Sequence, residues 1–529
     1  MKKSIIYVFT ACFFIILSSC KKDLSNYEYK EINSLEISNI EESYKVTNGS
    51  SPEIYPELSF SKDPSYNEED YEYKWISFRD GALPGDQRKD VYTGKNFDIP
   101  FPLGVGNYTM FYVVKEKSTN VTWQRKFNIT VEGTFRGGWA ILSEVANNAR
   151  VDYFEYDHLN ETNHYPKEYR NFTSLFADGV TGKGLEISGK PTFIQGWNNR
   201  IPAAPVSKYF IYVGTSTQTQ LINVSDGFLW KENYDFKFST QGLSNIEKIM
   251  PATAGAGFGF ADGNVYLTYN VYQRTFSTPI NRLSNGSVFT VSKYTAVNRI
   301  AGPNAIILMY DTMNKRFVRS TGGNLTATTP LPYNEGSAAF DPNNVGMDLV
   351  WMAPTDAFGG YAYALLTQNG KYYLARMQNG SAFVASYIDE VTQLPEISQA
   401  THFAVDQQYG AFQYAVGGKL YQYDVDTKES KLMKDFGARI ITLLKYDNGV
   451  AIPLSITTMP NFAATFGKRF YPAYSSLICA TYDPAQPDNS GKVEFFNVPQ
   501  FNQDYTTNYS FDKFGKVVDV SNIETPYGW

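Results

Sequence analysis

Residues 361–374 read Tyr361-Ala362-Tyr363-Ala364-Leu365-Leu366-Thr367-Gln368-Asn369-Gly370-Lys371-Tyr372-Tyr373-Leu374, two aromatic-rich runs joined by Asn-Gly. Tyrosine and the aliphatic residues favour a pleated, half-buried surface, and Asn-Gly suits the two positive-φ positions of a two-residue hairpin turn. The stretch predicts strand, turn, strand. The arrangement recurs where Asp262-Gly263 leads into Asn264-Val265-Tyr266-Leu267, and where Gly417-Gly418 leads into Lys419-Leu420-Tyr421-Gln422-Tyr423. Further strand-like runs are Trp139 to Leu142, Tyr209 to Val213, Ala305 to Tyr310, Ala411 to Ala415 and Leu477 to Tyr482. Spacings of roughly 40–70 residues between such units are those of four-stranded blades, which stack radially and bury one another's faces. Residues 134–529 are therefore expected to form a β-propeller. Seven blades is the preferred count, with six and eight as its neighbours.

Composition supports an all-β chain. Of the 529 residues 16% are aromatic, led by 40 Tyr and 37 Phe, with 40 Gly and 25 Pro as punctuation. No long stretch keeps an apolar period of 3.6 residues, so helices are not expected. The formal net charge is −6, and residues 21–70 hold 12 acids against 5 bases. The remainder is close to neutral and shows no basic face, which argues against nucleic acid as a partner.

Residues 34–133 have the size of one immunoglobulin-like β-sandwich. Its strand candidates are Leu35 to Ile37, Ile54 to Phe60, Tyr71 to Phe78, Asn107 to Lys115 and Trp123 to Val131. Tyr108, Met110, Tyr112 and Val114 alternate onto one face, as do Phe127, Ile129 and Val131. Trp75 sits in an alternating strand and is assigned to core packing.

The amino terminus has a different task. Lys2 and Lys3 precede an apolar run from Ile5 to Leu17, closed by Leu17-Ser18-Ser19-Cys20. The apolar run is short for a membrane span and suits a secretory signal. Leu-Ser-Ser-Cys resembles the bacterial lipobox, which implies cleavage after residue 19 and lipidation at Cys20. Residues 20–33 then serve as a flexible leader from the lipid anchor. Cys12 departs with the signal, so Cys479 stands alone in the mature chain, without a disulfide partner. Its apolar setting, Ser476-Leu477-Ile478-Cys479-Ala480, marks a buried, inert thiol.

Tyr73-Lys74-Trp75 followed by Gly106-Asn107-Tyr108-Thr109-Met110-Phe111-Tyr112-Val113-Val114 resembles the PKD pattern of an inward Trp and a later Gly-x-Tyr strand. The order of lipobox, sandwich and a propeller opened by Gly137-Gly138-Trp139-Ala140-Ile141-Leu142 resembles the PKD-like lipoproteins of Bacteroidetes. That resemblance implies an outer-membrane lipoprotein facing the cell exterior. It also implies two partners, a SusC-type TonB-dependent transporter and a SusD-type lid lipoprotein, in uptake of a glycan or peptide nutrient.

Motifs for catalysis are scarce. The chain has three histidines, His158, His164 and His402, and neither His-Glu-x-x-His nor Gly-x-Ser-x-Gly occurs. His158 and His164 flank a loop-like Asn160-Glu161-Thr162-Asn163, with spacing that suits neither a helix face nor a strand pair. Asp178-Gly179-Val180-Thr181-Gly182-Lys183-Gly184 lacks the first glycine and the final Ser or Thr of a phosphate loop. Asp424-Val425-Asp426 is read as turn chemistry in preference to a calcium ligand set. Asp311-Thr312-Met313 resembles the short O-glycosylation signal of Bacteroidetes secreted proteins. No cofactor or metal is expected. For ligand recognition the candidate is Gln195-Gly196-Trp197-Asn198-Asn199-Arg200, an aromatic face among amide and guanidinium donors in an expected loop, suited to a sugar ring or an extended peptide. Two function classes follow: a non-enzymatic surface lipoprotein that binds substrate or docks on an uptake complex, or a surface-anchored glycan hydrolase using a carboxylate pair.

Overall fold

The computed structural model describes residues 33–47, 49–78, 88–103, 106–132, 135–156, 162–172, 185, 187–199, 208–224, 246–253, 256–268, 279–283, 285–298, 306–321, 328, 330–380, 382–447, 476–500 and 502–523. Their regular structure is β-strand, with short 3-10 turns between strands. The chain is all-β, an Ig-like sandwich followed by a β-propeller.

The sandwich strands are β1 (Leu35–Ser38), β2 (Ser43–Thr47), β3 (Glu57–Phe60), β4 (Tyr71–Phe78), β5 (Arg88–Thr93), β6 (Gly106–Glu116) and β7 (Thr122–Glu132). One sheet runs β2-β7-β6-β4-β5 and the other is the pair β1-β3. β2 lies parallel to β7, with Ser43 opposite Asn128. The expected alternation holds on β6, where Tyr108, Met110, Tyr112 and Val114 are all buried. Trp75 is fully buried, packs on Tyr112 at 4.4 Å between ring centroids, and donates its indole N–H to Gly94 O at 2.8 Å. The expected strand from Ile54 is shorter than read. Pro56 lacks a ladder donor, and Ile54 makes only an isolated bridge to Phe97.

The ring begins with β8 (Gly138–Val145), β9 (Asn148–Glu155) and β10 (Lys167–Tyr169). The second sheet is β11 (Pro191–Asn199), β12 (Lys208–Thr215) and β13 (Thr219–Asn223). The third is β14 (Lys248–Thr253), β15 (Ala256–Ala261) and β16 (Asn264–Thr268). The fourth is β17 (Ala296–Asn298), β18 (Ile306–Asp311) and β19 (Arg316–Ser320). The fifth is β20 (Asp348–Thr355), β21 (Tyr361–Gln368), β22 (Lys371–Asn379) and β23 (Phe383–Glu390). The sixth is β24 (His402–Val405), β25 (Phe412–Val416), β26 (Lys419–Tyr423) and β27 (Ser430–Asp435). The seventh is β28 (Ile440–Lys445), β29 (Leu477–Tyr482), β30 (Gly491–Asn497) and β31 (Thr506–Phe514). Finally β32 (Lys516–Ile523) returns to the first sheet, giving the order β10-β9-β8-β32.

That return closes the ring. β32 pairs antiparallel with β8, Val520 opposite Ile141, so the last strand of the propeller completes its first blade. The inner strands β32, β11, β14, β17, β20, β24 and β28 touch in that order and back to β32.

Packing between blades explains why these strands read as continuous apolar runs: both faces of each sheet are covered. Cys479 on β29 points into the core shared with the sixth sheet. Its neighbours Ile478 and Ala480 point into the core shared with the first. The Cys479 thiol is accordingly buried, and its pKa is pushed up by burial. Asn369-Gly370 and Asp262-Gly263 each have positive φ at both residues, as the hairpin reading requires. Asp424 accepts the N–H of Asp426 and of Thr427, both at 2.9 Å, which makes it a turn residue.

Candidate functional site

The seven inner strands enclose a central channel of about 780 Å³. Each inner strand, or the residues beside it, contributes to the lining, so the site exists only once the ring is closed.

A charged girdle crosses this channel. Lys445, at the end of β28, donates to Asp519 Oδ1 and to Val520 O, at 2.8 and 2.9 Å. Asp519 also accepts the Ile194 N–H through Oδ2 at 3.0 Å and its neighbour Val520 N–H through Oδ1 at 2.9 Å. Asp447 accepts the backbone N–H of Asn522. Burial pulls the Lys445 pKa down, but Asp519 and Asp447 outweigh it and hold the ammonium above its usual value. The pair is a settled ion pair.

Lys248, which opens β14, differs. It lines the channel half-buried, and no carboxylate of the described residues lies within ion-pair distance of it. Its Nζ lies 6.0 Å from the centroid of the Phe260 ring, a weak cation–π contact. Burial, with Lys445 and Lys293 adding repulsion and Asp519 opposing, brings its pKa down to about 8. Lys293 is exposed at the channel and sits 5.3 Å from the Tyr294 ring centroid. His402 also lines the channel. Burial lowers its pKa, with a hydrogen bond to the Thr442 backbone opposing, and its Nδ1 is 2.9 Å from Thr401 Oγ1. Met250, Tyr294, Trp351 and Pro354 supply less polar wall. Such a lining, largely apolar with a few fixed polar groups, is that of a small-molecule site.

The candidate stretch 195–200 is placed differently from the sequence reading. The expected loop is strand, because residues 191–199 form β11 against β12, with Trp197 opposite Phe210. Trp197 is 3% exposed, in the core between the second and third blades. A Cβ at Gly257 would lie 2.4 Å from Trp197 Cη2, so glycine there makes room for the indole. This ring is committed to packing and offers no open face for stacking. Gln195 lines the channel, Asn198 and Asn199 end β11, and Arg200 lies outside the described residues. Cys20, His158 and residues 178–184 lie outside them too. His164 stacks on Tyr156 at 5.6 Å.

The lysines of the channel carry no local motif. Lys248, Lys445 and Asp519 are hundreds of residues apart at the extremes, and ring closure alone brings them together. The one local signal is a charged residue at the end of a largely apolar inner strand, as in Ile441-Thr442-Leu443-Leu444-Lys445.

Comparison with known proteins begins at the sandwich. Residues 20–188 match the PKD-like family model. The PKD-like match thus covers the sandwich and the strands of the first blade up to β10. No curated protein sequence matches the chain. Among solved structures, a quinoprotein alcohol dehydrogenase-like protein of Bacteroides thetaiotaomicron is 13% identical at a TM-score of 0.35, covering 92% of this chain and 95% of its own. The extracellular domain of a one-component system from that organism is 11% identical, TM-score 0.34, covering 92% and 71%. An auxiliary nutrient binding protein, also from Bacteroides thetaiotaomicron, is 12% identical, TM-score 0.30, covering 78% and 92%. At these scores the likenesses carry no argument about what this chain does.

Proposed function

We propose that the chain is a lipid-anchored outer-membrane lipoprotein facing the cell exterior. In this reading it is a non-enzymatic accessory component of a SusC/SusD-type nutrient-uptake complex, and it binds a glycan or peptide in the propeller channel. The anchor is supported by Leu17-Ser18-Ser19-Cys20 and the architecture by the PKD-like match. The observation that carries the binding reading is the channel, a site walled by seven strands in which Lys248, half-buried, faces the cavity without a carboxylate partner among the described residues.

The test is purification of the native complex from outer membrane, with identification of co-purifying proteins and of any bound ligand. Recovery of a TonB-dependent transporter and its lid supports the proposal, and recovery of the lipoprotein alone overturns the docking part. Protease shaving of intact cells decides the face, since full protection means a periplasmic orientation.

A hydrolase reading has one observation behind it: Glu247, Asp447 and Asp519 all line the channel. Against it, Asp519 is held through both oxygens, by Lys445, Ile194 and Val520. Steady hydrolysis of a defined oligosaccharide, abolished by Asp447→Asn or Asp519→Asn, would establish that reading instead.

A further inference from the structure

We infer that the channel ligand is acidic: a carboxylate docks on Lys248 with Lys293 at the mouth, while a less polar part lies along Met250, Tyr294 and Trp351. This rests on the reading of the channel as the ligand site.

Charge pairing inside the ring leads there. The acids on the inner strands are already spent, because Asp519 and Asp447 neutralise Lys445 and accept backbone N–H groups. Glu247, next to Lys248, also lines the channel; it is exposed and accepts the N–H of Asp262 at 3.1 Å, and it is not within ion-pair distance of Lys248. His402 is shifted toward its neutral form by burial. The lining carries three lysines and three carboxylates, and on two neighbouring blades Lys248 in the third and Lys293 leading into the fourth have no carboxylate within ion-pair distance among the described residues. A half-buried cation without a partner costs stability, and a hydrophobic residue there would cost nothing of the kind. Sites that keep such a cost are commonly functional. An incoming carboxylate supplies the missing half of an ion pair in a low-dielectric enclosure, where that pairing is worth more than at the surface. The cavity of about 780 Å³ is within the range of small-molecule pockets, roughly 300–1,000 Å³. Two sources carry this chemistry, a uronic-acid saccharide and an acidic short peptide.

The experiment is calorimetric titration of the full mature lipoprotein in detergent with digalacturonate, the Glu-Glu dipeptide, and their neutral counterparts digalactose and the Gln-Gln dipeptide. The wild type is compared with Lys248→Met, Lys248→Arg and Lys293→Gln, with circular dichroism as the check on folding. The expected result is binding of one acidic probe, weakened at least tenfold by Lys248→Met, weakened less by Lys293→Gln and largely restored by Lys248→Arg. Which acid binds names the source. Equal binding of acidic and neutral probes, or acid binding that Lys248→Met leaves unchanged, overturns the inference while leaving the channel as a ligand site. If none of the four probes binds, the inference is overturned together with the channel reading for these two ligand classes. Should Lys248→Met fail to fold, the exposed Lys293→Gln variant and the acid-to-neutral affinity ratio of the wild type decide the matter.

Discussion

The Lys445 ammonium meets Asp519 Oδ1 at 2.8 Å, tying the inner strand of the seventh blade to the strand that closes the ring. The two side chains are only 24% and 16% exposed, so solvent screens the pair weakly. Asp519→Ala leaves Lys445 without this partner and the Ile194 N–H without its acceptor. It should destabilise the protein by about 2–4 kcal/mol. Urea unfolding of the variant checks this, and the double replacement Lys445→Met with Asp519→Leu should recover most of the loss. A double variant no more stable than Asp519→Ala would show that the backbone bond to Ile194 matters more than the ion pair.

Removal of β32 should be poorly tolerated. A chain ending at Phe514 loses the partner of β8 and uncovers the apolar core of Trp139, Ile141 and Phe154. An unpaired inner edge of this kind promotes aggregation. Size-exclusion chromatography and thermal scanning should find the truncated chain aggregated or without a cooperative transition. A monomer unfolding in one sharp step would contradict ring closure by β32.

Trp197→Ala tests packing against ligand contact. The buried indole fills the space beside Gly257, and its loss should lower stability by roughly 3–5 kcal/mol. A thermal midpoint equal to that of the wild type would return Trp197 to the list of ligand-contact candidates.

Lys248→Met should stabilise the unliganded protein. The folded-state pKa of Lys248 is about 8 against an ordinary 10.5, so the unfolded chain binds more protons between those values. The wild type therefore gains stability as pH rises from about 8 to 10.5, and below 8 the cost of the charged group is fully present. The variant lacks this term. Its advantage should be on the order of 1–3 kcal/mol at pH 7 and should fade as pH climbs through that window. Denaturant curves at pH 7 and 10 measure it, and an advantage that grows with pH would show the sign to be wrong.

Cys20→Ala should abolish lipidation. Membrane fractionation is expected to find the variant released or retained as a precursor, whereas a mature, detergent-requiring membrane protein would refute the lipobox reading.

What the sequence determined by itself was local. Alternation on β6, the paired positive-φ residues at Asn369-Gly370 and Asp262-Gly263, and the blade-length spacing of hairpins are set by neighbours along the chain. Each of them was legible as strand or turn. The choice among six, seven and eight blades depended on how sheets share cores, and that depended on β32 returning to β8. Trp197 shows the limit most clearly. Its sequence neighbours Asn198, Asn199 and Arg200 look like those of a binding loop, yet Gly257 on another blade decides that the ring is buried. The channel lies further still beyond local reading. Lys248, Lys445 and Asp519 sit on three separate inner strands that share no local motif. Only closure of the ring places their side chains in one cavity, and that Lys248 has no carboxylate beside it among the described residues is a property of that enclosure.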